Sequence, residues 1–407
     1  MTAPPNPTAQ APVATVVLVA GVVAAVHVGK LPPAIPVWQA EWGLGLVEAG
    51  FLLSLVQVAG MVLGLVGGAF ADRLGLRRTA STGLALLGVG SVLGALGSGL
   101  NTLLLARALE GVGFLMVVLP CPGLLRQLVP GPAALGRWMG FWGAYMPLGA
   151  ALGLLLGPWA YGELGWRGSW GVLGALTVVW AWVLHRWVPP PLAHQTGGQG
   201  WWVGVRGNAA ATLGAPGPWC LALGFWVYSG QWLAVVGFLP TVYSALGWSA
   251  VAVGWLSALA AAVNMVGNIG AGLLAARGAA PARVLAVAYT AMAVFAYLAF
   301  AGLDNPWGRY GAVLCFSAVG GLVPGTLFGL AVRLSPSPAT VSTTVGWMQQ
   351  LSSLGQFLGP PLVGWLAAAM GGWSHTWLFN TVCCVVGVAL ARRVHSLVRT
   401  TAVPQGH

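Results

Sequence analysis

Charge is what this chain lacks. Only 6% of its 407 residues are Asp, Glu, Lys or Arg, while 58% are hydrophobic. Soluble domains carry roughly 25% charged residues to face water, so a soluble fold is excluded and a polytopic membrane protein is implied. Acid is scarcest, with six Asp and Glu against 17 Lys and Arg, for a formal charge of +11. The basic residues stand singly or in pairs between apolar runs, which reads as topology signal and excludes a nucleic-acid-binding stripe. Five cysteines, Cys121, Cys220, Cys315, Cys383 and Cys384, all fall in apolar stretches. None has the spacing with His that a zinc site needs, so neither a metal nor another cofactor is expected. Gly-x-Ser-x-Gly, His-Glu-x-x-His and paired intramembrane Asp are also missing. Covalent catalysis needs a nucleophile and base within reach, so no catalytic residue and no enzymatic activity are expected. The first eleven residues hold no Lys or Arg, so a cleaved leader is not expected and the first helix is read as permanent.

What the chain does have is apolar length. A spanning helix takes about 20 residues, and the sequence offers twelve such runs, at roughly 13–36, 46–71, 79–98, 101–126, 136–160, 168–188, 217–242, 250–276, 282–303, 307–333, 340–370 and 374–397. The longest polar segment separates the sixth from the seventh. This predicts an all-α membrane protein of two six-helix bundles, 1–188 and 217–407, joined by a cytoplasmic linker at 189–216. With both termini inside, thirteen arginines fall in inner loops and the tail, against Lys30, Arg167 and Arg309 outside. The halves also repeat: Gly50, Met61, Gly68 and Arg73 recur as Gly254, Met265, Gly272 and Arg277. Such repeats with a site between them suit alternating access.

One dense polar stretch, Gly68 to Arg78, lies between the second and third runs as Gly-Ala-Phe-Ala-Asp-Arg-Leu-Gly-Leu-Arg-Arg. Gly68, Asp72, Arg73, Gly75, Arg77 and Arg78 match the pattern Gly-x-x-x-Asp-Arg-x-Gly-x-Arg-Arg. In this the chain resembles the major facilitator superfamily of secondary transporters. The resemblance implies a twelve-helix fold, usually monomeric, and a cytoplasmic gate in which Asp72 is the key charge facing the end of helix 11. The run Gly-Lys-Leu-Pro-Pro-Ala-Ile-Pro from Gly29, with Leu-Val-Glu-Ala-Gly ending at Gly50, resembles the cyanate and nitrate-type permease branch.

Helix 4 carries Arg107, Glu110, Gly111 and Phe114 on one face. An ionisable pair inside a span costs at least about 2.5 kcal/mol per charge and marks a functional position. His27 in helix 1 falls at a similar depth, so His27 with Glu110 forms a candidate proton relay and Arg107 a candidate anion contact. Lys30 is read as a snorkelling residue at the outer interface, or else as part of a positive outer vestibule. Gly149, Gly153, Gly157 and Pro158 in helix 5 partly resemble the family's antiporter element, or simply allow close helix packing. In the second half, Phe225, Tyr228, Ser229 and Trp232 share one face, as do Gln349, Ser352, Ser353 and Gln356, and Asn264 with Asn268. Of these Tyr228, Trp232 and Gln356 are the first candidates for substrate contact. Trp38, Trp42, Trp159, Trp166, Trp170, Trp307 and Trp373 sit near span ends, where an interfacial belt is expected.

The expected function is secondary transport of a small or organic anion across the bacterial inner membrane, as symporter or antiporter with protons. A proton-antiporting drug or metabolite exporter is the alternative. A non-transporting receptor of the same fold is an alternative of another class.

Overall fold

The computed structural model describes residues 7–189 and 201–402. Among them no strand occurs, and ten helical segments are long and apolar enough to cross a bilayer. One of the ten, Tyr145–Trp187, is 43 residues long and turns at Gly165 (φ 66°, ψ 166°), so it is two spans. The ten leave out Val341–Ala369, whose Gln349, Gln350, Ser352, Ser353 and Gln356 dilute its apolarity. Twelve spans result. They are labelled α1 (Ala11–Trp42), α2 (Leu46–Gly67), α3 (Leu76–Leu96), α4 (Leu100–Leu128), α5 (145–164), α6 (166–187), α7 (Pro216–Ala245), α8 (Ala250–Ala276), α9 (Pro281–Gly302), α10 (Pro306–Leu334), α11 (Val341–Ala369) and α12 (Trp373–Arg399).

Several expectations need correction. The stretch from Gly68 is helical rather than a loop: the helix Val58–Leu74 takes in Asp72 and Arg73, and a new helix starts at Leu76. Only Gly75 joins them, at φ 88° and ψ 122°, where a side chain would be strained. The linker region also holds a helix, Trp201–Gly214. Residues 190–200, with His194, lie outside the described residues. The first span runs past Pro32 through a single 3-10 turn, Pro32–Ala34, and on to Trp42. Pro32 and Pro33 fit here because their missing N–H groups fall at the start of a new turn.

Two seams join the halves. On one, α2 packs along α11, with Gly50 against the Pro360–Pro361 backbone and Gly64 against Gln350. On the other, α8 meets α5 where Gly254 lies against Pro158 and Leu154. Small residues allow this closeness, because membrane helices associate chiefly through packing. The stripe of α5 is used in the same way within its own half: Gly149 faces Ala25, Gly153 faces Gly29 and Lys30, and Gly157 faces Pro33 of α1.

The tryptophan belt is only partly a belt. Trp159 and Trp307 are exposed, but Trp38, Trp166 and Trp170 are buried and pack edge to face, with centroids 5.3–5.8 Å apart. They close the end of the first half where α1 and α6 meet. Replacing Gly153 by Leu should lower stability by about 1–3 kcal/mol through overpacking against α1. Gly140→Ala, which adds a methyl into open space within the helix Pro132–Gly143, should hold the thermal unfolding midpoint or raise it slightly.

Candidate functional site

The helix 4 face behaves as the i, i+3, i+4, i+7 spacing predicts: Arg107, Glu110, Gly111 and Phe114 are all buried. Gly111 lies flat against α2, where a Cβ would come within 2.7 Å of the Val56 carbonyl. Gly90 of α3 does the same on the other side, 2.9 Å from Glu110 Cγ. These two glycines draw neighbouring helices onto the charged residues and exclude lipid and water.

Glu110 is the centre of the cluster. Its Oε2 accepts from Arg107 Nη1, and its Oε1 accepts from Lys30 Nζ at 2.5 Å. His27 Nδ1 stands 3.5 Å from the same Oε1. Arg107 also donates Nη1 to the His27 carbonyl at 2.9 Å and Nε to the Leu52 carbonyl at 3.3 Å. Its Nη2 is buried without a hydrogen-bond partner. Lys30 donates to Ser91 Oγ at 2.7 Å and lies 3.8 Å over the Trp170 ring. His27 Nε2 meets Thr177 Oγ1 at 2.8 Å. Tyr161 of α5 donates its hydroxyl to the Lys30 carbonyl and accepts from Trp170 Nε1 at 3.1 Å.

The structure therefore joins His27, Arg107 and Glu110, and adds Lys30. The snorkelling assignment of Lys30 is overturned: its side chain is 5% exposed. Because α1 continues to Trp42, Lys30 lies about 18 Å of helix below that end rather than at the interface. A signal for it was available, since Lys30 is the only lysine of the chain. Thr177 and Ser91 were missed because single hydroxyls in apolar runs have no periodic signature. The cluster draws on α1, α2, α3, α4 and α6, all from the first half.

The second-half candidates form two further groups. Asn264 Nδ2 donates to Tyr228 Oη at 2.9 Å and to the Ser317 carbonyl at 2.8 Å, and Trp232 Nε1 donates to Ser317 Oγ at 3.1 Å. This ties α7, α8 and α10. Gln356 instead crosses the halves, accepting from Gln57 Nε2 at 3.0 Å while Ser353 Oγ donates to Gln57 Oε1 at 3.3 Å. Gln57, in the 3-10 turn Leu55–Gln57 that interrupts the second span, is a further residue that sequence reasoning missed. Lower on the same seam Gln350 Oε1 accepts from the Leu65 N–H at 2.8 Å.

Of the gating residues, the side chains of Asp72 and Arg73 lie outside the described residues. Arg77 donates to the carbonyls of His185 and Val188 at 3.3 and 3.1 Å. A cation there suits the C-terminal end of α6. Arg78 is exposed. Between the ends of α1, α5, α7 and α8 lies a cavity of about 330 Å³, lined by Pro33, Tyr161, Pro158, Pro240 and Gly254 among others.

The family model described as the Major Facilitator Superfamily matches residues 17–357. The chain belongs to the major facilitator superfamily. It is 24% identical over 361 residues to the cyanate transport protein CynX of Escherichia coli K12, covering 88% of this chain and 90% of that one. Over 149 residues it is 32% identical to the 3-(3-hydroxy-phenyl)propionate transporter of the same organism, covering 36% of each chain. Over 131 residues it is 28% identical to the quinolone resistance protein NorA of Staphylococcus aureus, covering 32% of each. Among solved structures, it shares a TM-score of 0.77 with an inward-facing, unoccupied bacterial homologue of the human lysosomal transporter Spinster. That match covers 98% of this chain and 99% of the other at 16% identity. The protein is thus an integral membrane transporter family member, for which a small-molecule substrate follows.

Removing Glu110 would leave buried cations uncompensated, so Glu110→Ala should cost about 3–5 kcal/mol. The triple replacement Lys30→Met, Arg107→Met, Glu110→Leu should recover most of that loss, because apolar residues of similar volume replace buried ion clusters without penalty. Thermal unfolding in detergent checks both, and a triple variant as unstable as Glu110→Ala contradicts the account.

Proposed function

We propose that this protein moves a small or organic anion across the bacterial inner membrane by alternating access, coupled to protons. The observation that carries this is the buried cluster, in which Lys30 and Arg107 share the single carboxylate of Glu110. A site with more cationic than anionic groups, including an Arg107 nitrogen without a partner, suits a small anion. The likeness to a cyanate transport protein along nearly the whole chain supports the same class.

In this reading the halves 1–188 and 217–407 rock about the α2–α11 and α5–α8 seams, joined by 189–216. The bond between Gln57 and Gln356 breaks and reforms in each cycle. Asp72 serves as a cytoplasmic latch. Both termini are cytoplasmic; with Lys30 moved into the core, only Arg167 and Arg309 remain in outer loops against thirteen inner arginines. The protein acts as a monomer without a nucleic-acid partner.

A second reading, a proton-antiporting drug or metabolite exporter, is favoured by the aromatic face of α7 and by the partial likeness to a quinolone resistance protein. Thermal-shift measurements with cyanate, nitrate and lipophilic cations separate the two, since a ligand that binds the native state raises its stability. The anion reading expects stabilisation by the anions; stabilisation by lipophilic cations alone favours the exporter.

Proteoliposomes containing the wild-type protein should take up labelled cyanate faster when the outside is acidified. Asp72→Asn should slow that uptake while leaving the thermal shift with cyanate intact. A lost shift would mean that Asp72 holds substrate rather than the gate.

A further inference from the structure

We propose that the end of α6 around Arg186 holds the phosphate headgroup of an anionic phospholipid, whose acyl chain lies along the outer face of the same helix. The leaflet follows from the orientation proposed above. The site itself does not depend on what the protein transports.

The two faces of α6 are opposite in kind. Gly174, Thr177, Ala181 and Leu184 are buried, with Gly174 against Gly88 of α3 and Thr177 against His27 of α1. On the other face Val172, Leu176, Val179 and Trp182 are each half or more exposed, at spacings of i, i+4, i+7 and i+10 that keep to one side of a helix. From Val172 to Trp182 is about 15 Å at about 1.5 Å per residue. That is the depth of one leaflet in a hydrocarbon core about 30 Å thick. Arg186 follows one turn beyond Trp182, and the two line an open hollow together with Trp187. An acyl chain is thus offered a stripe one leaflet deep, with a cation where the headgroup begins.

The chemistry at that end suits a phosphate. Arg186 is exposed and has no hydrogen bond or ion pair among the described residues. The same holds for the indole N–H groups of the exposed Trp182 and Trp187. A guanidinium fork can give two bonds to one phosphate, and indoles settle at headgroup level with their polar edge toward water. α6 holds no Asp or Glu that would compete for the guanidinium. The carbonyls that end a helix repel an anion, but here Arg77 donates to those of His185 and Val188, at 3.3 and 3.1 Å. The His185 ring is engaged as well, its Nδ1 3.3 Å from Ser81 Oγ. With Arg77 turned to the backbone, Arg186 is left to face the bilayer. The cytoplasmic leaflet is the negatively charged one, so charge and length together match a phospholipid rather than a soluble phosphate.

Native mass spectrometry of the delipidated protein in detergent tests this, by titration with phosphatidylglycerol and with phosphatidylcholine of the same acyl chains. Phosphatidylglycerol should bind at least about fivefold tighter, the factor expected for one arginine at an anionic surface. Arg186→Gln should abolish that preference, and Arg186→Lys, which keeps the charge but not the fork, should retain part of it. Arg186 is exposed and unpartnered among the described residues, so the glutamine variant should unfold at the wild-type temperature when free of lipid. Arg283→Gln, which removes another exposed charge from the same side of the membrane, should leave the preference intact. Equal affinity for the two lipids, or a preference that survives Arg186→Gln, overturns the proposal. An equal loss in Arg283→Gln would reduce it to general charge attraction and overturns it too. Glycerol 3-phosphate, which has the phosphate without the chains, should compete poorly. If it competes as well as phosphatidylglycerol, the hollow takes soluble phosphates and the lipid assignment is wrong.

Discussion

Everything in the first half is arranged around one carboxylate holding two cations away from water. Glu110 sits between Lys30 and Arg107 with no exposed surface. An ion cluster at that depth is favoured where hydrogen bonds satisfy most of the remaining donors, here all but Arg107 Nη2. Those bonds come from the Leu52 and His27 carbonyls, Ser91 and Thr177, so five helices are held in register by the same cluster. Gly90 and Gly111 serve it too, because a methyl at either would push α3 or α2 away from Glu110. The sequence feature that looks like economy, a near absence of acid, concentrates the consequence of this one residue.

The second half is built on a different principle. Its buried polar groups, Tyr228, Asn264, Ser317 and Trp232, are uncharged and donate to one another. Neutral hydrogen bonds between membrane helices are modest, on the order of 1 kcal/mol, so this half is held mainly by packing. An ion-paired half facing a half joined by weak neutral bonds is a physical basis for unequal roles of the two.

Hydropathy made the number of spans legible, and the i, i+3 spacing of Arg107 and Glu110 placed the core of the buried charge cluster. What it hid depends on where α1 ends. Pro32 and Pro33 look like a terminus, since proline removes a helix donor. Yet a single 3-10 turn absorbs both and the helix continues to Trp42. That shift moves Lys30 from the interface into the core and Trp38 from the belt into a buried aromatic group. Gln57 and Thr177 were illegible for another reason: each is a lone polar residue whose partner lies on a distant helix, Gln356 and His27 respectively. No periodicity within one span encodes such a pair.

The two kinds of contact differ in what a transport cycle can ask of them. The Gln57–Gln356 bond joins opposite halves at their seam, and breaking a neutral amide pair costs little if water enters as the seam opens. Breaking the Glu110 cluster would strand charges in a low-dielectric interior at several kcal/mol. In the proposed cycle rocking therefore falls on the seams, and the charged cluster moves as one body with its half. Any coupling between the cluster and the motion must then act through a change in its charge rather than its dismantling.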